Sequence, residues 1–75
     1  MTQIFNMEPN EVRDLAREYL QEGVTSRAIQ CFERLLWLGE LRRYEYLRLA
    51  AIYNRQGNET NAKRVLGRCI VTYNN

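Results

Sequence analysis

The chain has 75 residues, no histidine and a formal net charge of +2, from eleven basic and nine acidic side chains that are interspersed along it. This length fits one domain with a small core and argues against an architecture of several domains. The balanced charge argues against a strong electrostatic preference for nucleic acid. With no histidine and no closely spaced pair of cysteines, the chain lacks a set of zinc ligands.

The first predicted helix follows a short apolar tail. Residues 1–8 contain Ile4, Phe5 and Met7, which either fray, as termini usually do, or fold back onto the first helical pair. We expect the second outcome. Pro9 suits the first helical position, and the apolar spacing that follows predicts a helix over about residues 9–22. Gly23 ends this helix, because glycine adopts the left-handed conformation of a helix C-terminus without strain.

The second helix is predicted over about residues 25–38, with Thr25 or Ser26 as its cap. Its apolar residues cover much of the helix circumference, which predicts burial between the first and third helices. These residues are Ala28, Ile29, Phe32, Leu35, Leu36, Trp37 and Leu38. Gly39 ends the helix.

The third and fourth helices are predicted over about residues 41–56 and 59–73, with Gly57 in the turn and Asn58 as the N-cap. The third helix has a core stripe of Tyr46, Leu49, Ala50 and Tyr53, and a second stripe of Tyr44, Leu47 and Ala51. The second stripe either contacts Ile4 and Phe5 or forms an exposed binding face. The fourth helix is predicted to leave an exposed apolar end, formed by Val65, Leu66, Cys69, Ile70, Val71 and Tyr73.

The stretch from Leu15 to Phe32 recurs 34 residues later, from Leu49 to Leu66. At this offset Leu15, Ala16, Tyr19, Gly23 and Ala28 match Leu49, Ala50, Tyr53, Gly57 and Ala62. A fixed period of this length indicates a repeated helix-turn-helix unit. The small residues let two helices approach closely.

These matched positions resemble the tetratricopeptide repeat, a helix-turn-helix of the same length. The resemblance implies an all-α fold of two tandem hairpins, a four-helix right-handed α-solenoid fragment that forms one domain over residues 1–75. Repeat one would span about residues 9–42 and repeat two about residues 43–75. The chain departs from the family pattern where Glu40 and Asn74 replace the closing proline and Val12 replaces an early aromatic residue. The sequence also shows no further helix after the fourth.

The resemblance implies a non-enzymatic protein-protein interaction module that acts as an adaptor, a chaperone or an assembly subunit. Such proteins bind a peptide or helix of a partner in a concave groove. The groove positions here are Asn10, Arg13, Arg17, Leu20, Gln21, Tyr44, Leu47, Arg48, Ala51, Asn54 and Arg55. Our hypothesis is an amphipathic segment with apolar side chains against Tyr44 and Leu47 and carboxylates against Arg13 and Arg17.

The exposed end of the fourth helix gives further alternatives. Two copies would form a homodimer through it, or a helix of another protein would cover it. A self-associating structural protein and a small chaperone similar to those of type III secretion remain open as functions.

Other classes of function have little support. With one serine, no histidine and no glycine-rich phosphate loop, we expect no enzyme. The segment from Arg42 to Leu49 interleaves arginine and tyrosine, which keeps nucleic-acid binding as a weaker alternative. Cys31 and Cys69 lie in helical patterns, where a free cysteine behaves as a small apolar residue, and we expect a cytoplasmic protein with no metal or other cofactor. No signal peptide or membrane-spanning stretch is found, so no membrane partner is expected.

Overall fold

The computed structural model describes residues 6–73, and in this range the chain is all α-helical. It contains four helices there and no strand: α1 (Pro9–Gln21), α2 (Thr25–Leu38), α3 (Arg43–Arg55) and α4 (Glu59–Tyr73). The predicted helices are therefore confirmed, with the largest shift at the start of α3. Arg42 precedes α3 with an extended backbone, so that helix begins two residues later than predicted. Ile4 and Phe5, and with them the predicted fold-back of the tail, lie outside the described residues.

The chain divides into two compact units, Met1–Leu41 and Arg42–Asn75. In the first unit α1 packs on α2, and in the second α3 packs on α4. We call these two pairs hairpin 1 and hairpin 2. The all-α class is thus confirmed, while the solenoid arrangement of the hairpins stays a prediction.

Both hairpins turn with the same hydrogen-bond geometry. Gly23 and Gly57 have φ values of 77° and 75°, a conformation in which any residue with a Cβ is strained. After each glycine, a backbone N–H reaches back to a tyrosine carbonyl. Val24 donates to Tyr19 at 2.8 Å and Asn58 donates to Tyr53 at 2.9 Å. This Schellman motif satisfies carbonyls at the helix end and confirms the predicted role of both glycines.

The first helix of each hairpin begins with the same acidic contact. Glu11 accepts a hydrogen bond from the backbone N–H of Glu8 at 3.2 Å. Thirty-four residues later, Glu45 accepts one from the backbone N–H of Arg42 at 2.8 Å. A carboxylate in the first turn also interacts favourably with the helix dipole. The 34-residue repeat therefore includes the acidic hydrogen bond at the N-termini of α1 and α3.

The second helices begin differently. Asn58 caps α4 as predicted, since its Oδ1 accepts the backbone N–H of Asn61 at 3.2 Å. The predicted cap of α2 by Thr25 or Ser26 is wrong. Val24 occupies the N-cap position there without a side-chain cap, because the turn after Gly23 takes only one residue and Thr25 is already helical.

Each hairpin buries its own apolar face. In hairpin 1 the buried apolar residues of the helices are Val12, Ala16, Ala28, Cys31, Phe32, Leu35 and Leu36. In hairpin 2 they are Tyr46, Leu49, Ala50, Ile52, Tyr53, Ala62, Val65 and Cys69. The ring of Tyr46 also meets that of Tyr73 edge to face, with centroids 5.9 Å apart. This contact ties the start of α3 to the end of α4.

The prediction that the whole apolar stripe of α2 is buried is wrong for its last turn. Trp37 is 79% exposed, and Leu38 is also exposed. Consecutive helical residues point about 100° apart, so Leu35 and Leu36 can lie on the packed side while the next two residues turn away from it. The guanidinium of Arg34 lies over the Trp37 ring, 5.3 Å from its centroid.

Candidate functional site

The most coherent candidate surface lies on α3. Six residues predicted to line a binding groove are all exposed there: Tyr44, Leu47, Arg48, Ala51, Asn54 and Arg55. Their spacing of three, four and seven places them on one side of the helix. The opposite side carries Leu49, Ala50 and Tyr53, which are buried. We call the six exposed residues the α3 face.

The centre of the α3 face is apolar. Tyr44 and Leu47 are each 53% exposed, and Ala51 lies one turn further along the helix. Three apolar residues in a row along an exposed helix are a typical surface for another helix or peptide. The alternative that Ile4 and Phe5 cover this stripe lies outside the described residues.

The edges of the α3 face are positively charged. Arg48 and Arg55 are part of the face, and Arg42 and Arg43 are exposed at the start of the helix. The only carboxylate between residues 42 and 58 is Glu45, which is 2% exposed. Its oxygen already accepts the backbone N–H of Arg42. The exposed charge of α3 is therefore entirely basic.

Hairpin 1 presents its predicted groove residues less uniformly. Asn10, Arg17 and Gln21 are exposed, while Leu20 is half-buried. Arg17 has one nitrogen 3.9 Å from the Asp14 carboxylate, and both side chains remain mostly in solvent. Such exposed pairs are weak, so Arg17 remains accessible to a partner.

Arg13 has a different role from the one predicted. It is only 7% exposed, and its Nη2 donates a hydrogen bond of 2.6 Å to the backbone carbonyl of Glu40. Its Nη1 donates a second one, of 3.4 Å, to the Asn10 side chain. The prediction that Arg13 pairs with a carboxylate of the partner is therefore wrong. The guanidinium instead ties α1 to the segment that follows α2.

The predicted apolar end of α4 is smaller than expected. Ile70, Val71 and Tyr73 are exposed, but Val65 and Cys69 are buried. Leu66 is half-buried. The prediction of six exposed residues is wrong for Val65 and Cys69, because their spacing of four places them on the side of α4 that packs on α3.

The two cysteines are free and buried. Burial raises the pKa of the Cys31 thiol above its ordinary value, since the charged thiolate is poorly solvated there. Within residues 6–73 no cluster of histidine, cysteine or carboxylate side chains has the size of a metal site. In the same range, every helix is too short or too polar to cross a membrane.

Comparison of the chain with models of protein families, with curated proteins and with solved structures gives no match.

Proposed function

We propose that this chain is a non-enzymatic protein-interaction module of the tetratricopeptide type, which binds an amphipathic peptide or helix of a partner protein. The α3 face carries the proposal, because it combines an exposed apolar stripe with basic edges and has no exposed carboxylate. The repeated glycine turns and the repeated acidic contacts at the starts of α1 and α3 support the tetratricopeptide interpretation.

The partner segment would place apolar side chains on Tyr44 and Leu47. A tyrosine ring offers a large contact area at a low cost in conformational entropy. Ala51 adds little bulk and lets the backbone of the partner approach the helix. The guanidinium groups of Arg48 and Arg55 would bind carboxylates on the polar side of the segment, with paired hydrogen bonds.

The tetratricopeptide resemblance also assigns Asn10, Arg17 and Gln21 of hairpin 1 to partner binding. All three are exposed and offer polar contacts. Arg13 is no part of this surface. The free, buried cysteines fit a reducing compartment such as the cytoplasm, where an adaptor, a chaperone or an assembly subunit would act.

Two labelled helical peptides test the proposal. Both carry leucine at helical spacing, and their polar positions are all glutamate in one and all lysine in the other. We expect the acidic peptide to bind, measured by fluorescence anisotropy, and the basic peptide to bind more weakly. Leu47→Asp should weaken binding of the acidic peptide by at least about tenfold, which corresponds to ~1.4 kcal/mol. Trp37→Asp is the control, because it places the same charge at an exposed apolar position of hairpin 1 that is not one of the six residues of the α3 face.

Equal binding of the two peptides, or unchanged binding by Leu47→Asp, would overturn the proposal. A single-stranded oligonucleotide provides the test of nucleic-acid binding. If it binds more tightly than the acidic peptide at physiological salt, and Arg48→Glu removes that binding, the α3 face is a nucleic-acid surface and the proposal fails.

A further inference from the structure

The small net charge of the chain conceals a strong difference between its two hairpins. Residues 1–41 contain seven acidic and four basic side chains, and residues 42–75 contain two acidic and seven basic ones. The first unit thus carries a formal charge of −3 and the second a charge of +5, which together give +2. Surfaces of opposite charge attract each other when two proteins meet, so each hairpin favours a different kind of partner surface. The charges are interspersed along the whole sequence but are segregated between the hairpins.

The acidic charge is concentrated on one side of α1. Four exposed carboxylates lie along it at spacings of three and four: Glu11, Asp14, Glu18 and Glu22. This spacing places them on one helix face, away from the buried Val12 and Ala16. We call these four residues the acidic face. Arg17 borders it and lies 3.9 Å from Asp14, which leaves the remaining carboxylates to dominate the local potential.

Part of the basic charge of hairpin 2 lies on one side of α4. Lys63, Arg64 and Arg68 are exposed there, together with Ile70 and Val71, which are 59% and 66% exposed. We call these five residues the basic face. They lie away from the side of α4 that carries the buried Val65 and Cys69. A partner of this face would need carboxylates around a small apolar contact.

A glycine in the interior of α4 leaves the surface of this helix without a side chain beside the basic face. Gly67 lies in the interior of the helix and is not among the glycines with positive φ. A Cβ added there would meet nothing within 4 Å. Glycine weakens a helix interior, and nothing around this residue in the structure requires it. The missing side chain leaves room for the backbone of a partner to approach the basic face closely.

We infer that the acidic face of α1 in one copy binds the basic face of α4 in a second copy. Each face would attract a surface of opposite charge, and a second copy supplies both at once, whereas a polyanion supplies only one. A symmetric dimer through α4 would bring like charges together, as would one through α1. The contact joins different surfaces of the two copies, so it produces rings or open chains of copies.

The test is the molar mass of the full chain, measured by light scattering after size exclusion in a dilution series. We expect association at low salt that decreases as salt screens the charges. Glu18→Lys with Glu22→Lys reverses part of the acidic face, and Lys63→Glu with Arg64→Glu reverses part of the basic face. Glu18→Lys and Glu22→Lys put cations near the end of α1, where the helix dipole favours them.

Each double variant alone should remain monomeric where the wild-type chain associates. An equimolar mixture of the two should associate again, because the unchanged acidic face of one variant meets the unchanged basic face of the other. A wild-type chain that stays monomeric, an α1 double variant that keeps the wild-type mass, or a mixture that fails to associate would each overturn the inference. The second of these outcomes would show that copies associate without the acidic face.

The same variants separate this contact from peptide binding. Leu47→Asp should leave the association unchanged, and the α1 double variant, in which the α3 face and the basic face are both intact, should bind the acidic peptide at least as tightly as wild type. Loss of association in Leu47→Asp would mean that copies meet through the α3 face, and would overturn the inference without contradicting the α3 face as an interaction surface.

Discussion

Arg13 and Leu47 occupy the same position in the two hairpins, 34 residues apart, yet the arginine is buried and the leucine is exposed. The guanidinium of Arg13 donates a hydrogen bond to the backbone carbonyl of Glu40. The leucine lies on the α3 face in solvent. A repeat position decides which way a side chain points, but the neighbouring chain segment decides whether that side chain is covered.

The same contrast holds at other equivalent positions. Leu36 in α2 is 6% exposed, and its equivalent in α4 is Ile70, which lies in solvent. Glu18 in α1 is exposed, and its equivalent in α3 is Ile52, which is buried. Hairpin 1 therefore shows carboxylates on the outside of its first helix, and hairpin 2 shows apolar and basic residues on both of its helices. Two hairpins with the same backbone plan present different chemistry to a partner.

The largest effect that sharpens this comparison involves two equivalent leucines. Leu49 is fully buried in hairpin 2, whereas Leu15 is only half-buried in hairpin 1. Leu49→Ala should lower the free energy of unfolding by about 2–5 kcal/mol, the range for a buried leucine that leaves a cavity. Leu15→Ala should cost clearly less, because part of its surface is already hydrated. Urea denaturation followed by circular dichroism measures both, and equal losses would contradict the difference in burial.

A smaller effect on the free energy of unfolding is expected when a residue of hairpin 1 is replaced by the residue at the equivalent position of hairpin 2. Arg13→Leu places the residue of hairpin 2 in hairpin 1 and removes the hydrogen bond to the Glu40 carbonyl. The loss of unfolding free energy should be about 1–3 kcal/mol, as for a hydrogen bond from a charged group. Arg17→Leu is the matched control and should stay within about 0.5 kcal/mol, because Arg17 is exposed.

If Arg13→Leu were as stable as the wild-type chain, the hydrogen bond to Glu40 would contribute nothing to the free energy of unfolding. The contrast between Arg13 and Leu47 would then have no energetic consequence. The slope of the denaturation curve serves as a check, because an unchanged slope shows that the variant unfolds from an equally compact state.

The features that could be predicted from the sequence depend on local signals. The helix bounds, the glycine turns and the Asn58 cap follow from residues within a few positions of one another. The burial of Arg13 could not be predicted, since it depends on Glu40, 27 residues away. The exposure of Trp37 was missed because an apolar run does not show where the packed face of a helix ends.

The candidate surfaces divide in the same way. The α3 face was predicted because its spacing places its residues on one side of one helix. The acidic and basic faces could not be predicted from the net charge of the whole chain, because the charges of the two hairpins largely cancel in that sum. Val65 and Cys69 were wrongly expected to be exposed, since the direction of α4 relative to α3 decides which of its two apolar sides is covered.

The smallest expected effect concerns Cys31, whose equivalent in hairpin 2 is Val65; both are buried. Burial raises the pKa of the Cys31 thiol above its ordinary value of 9.0, so the folded chain keeps the thiol neutral at a pH where the unfolded chain ionises it. The stability linked to this thiol is present below the pKa of the unfolded state and falls as the pH rises above it. Wild-type stability should therefore decline between about pH 8 and 10 more steeply than that of Cys31→Val, by at most ~1.4 kcal/mol per pH unit. The other titrating groups are common to both proteins, and their contributions cancel in the difference. Parallel stability curves over this range would show that the raised pKa of Cys31 has no effect on folding.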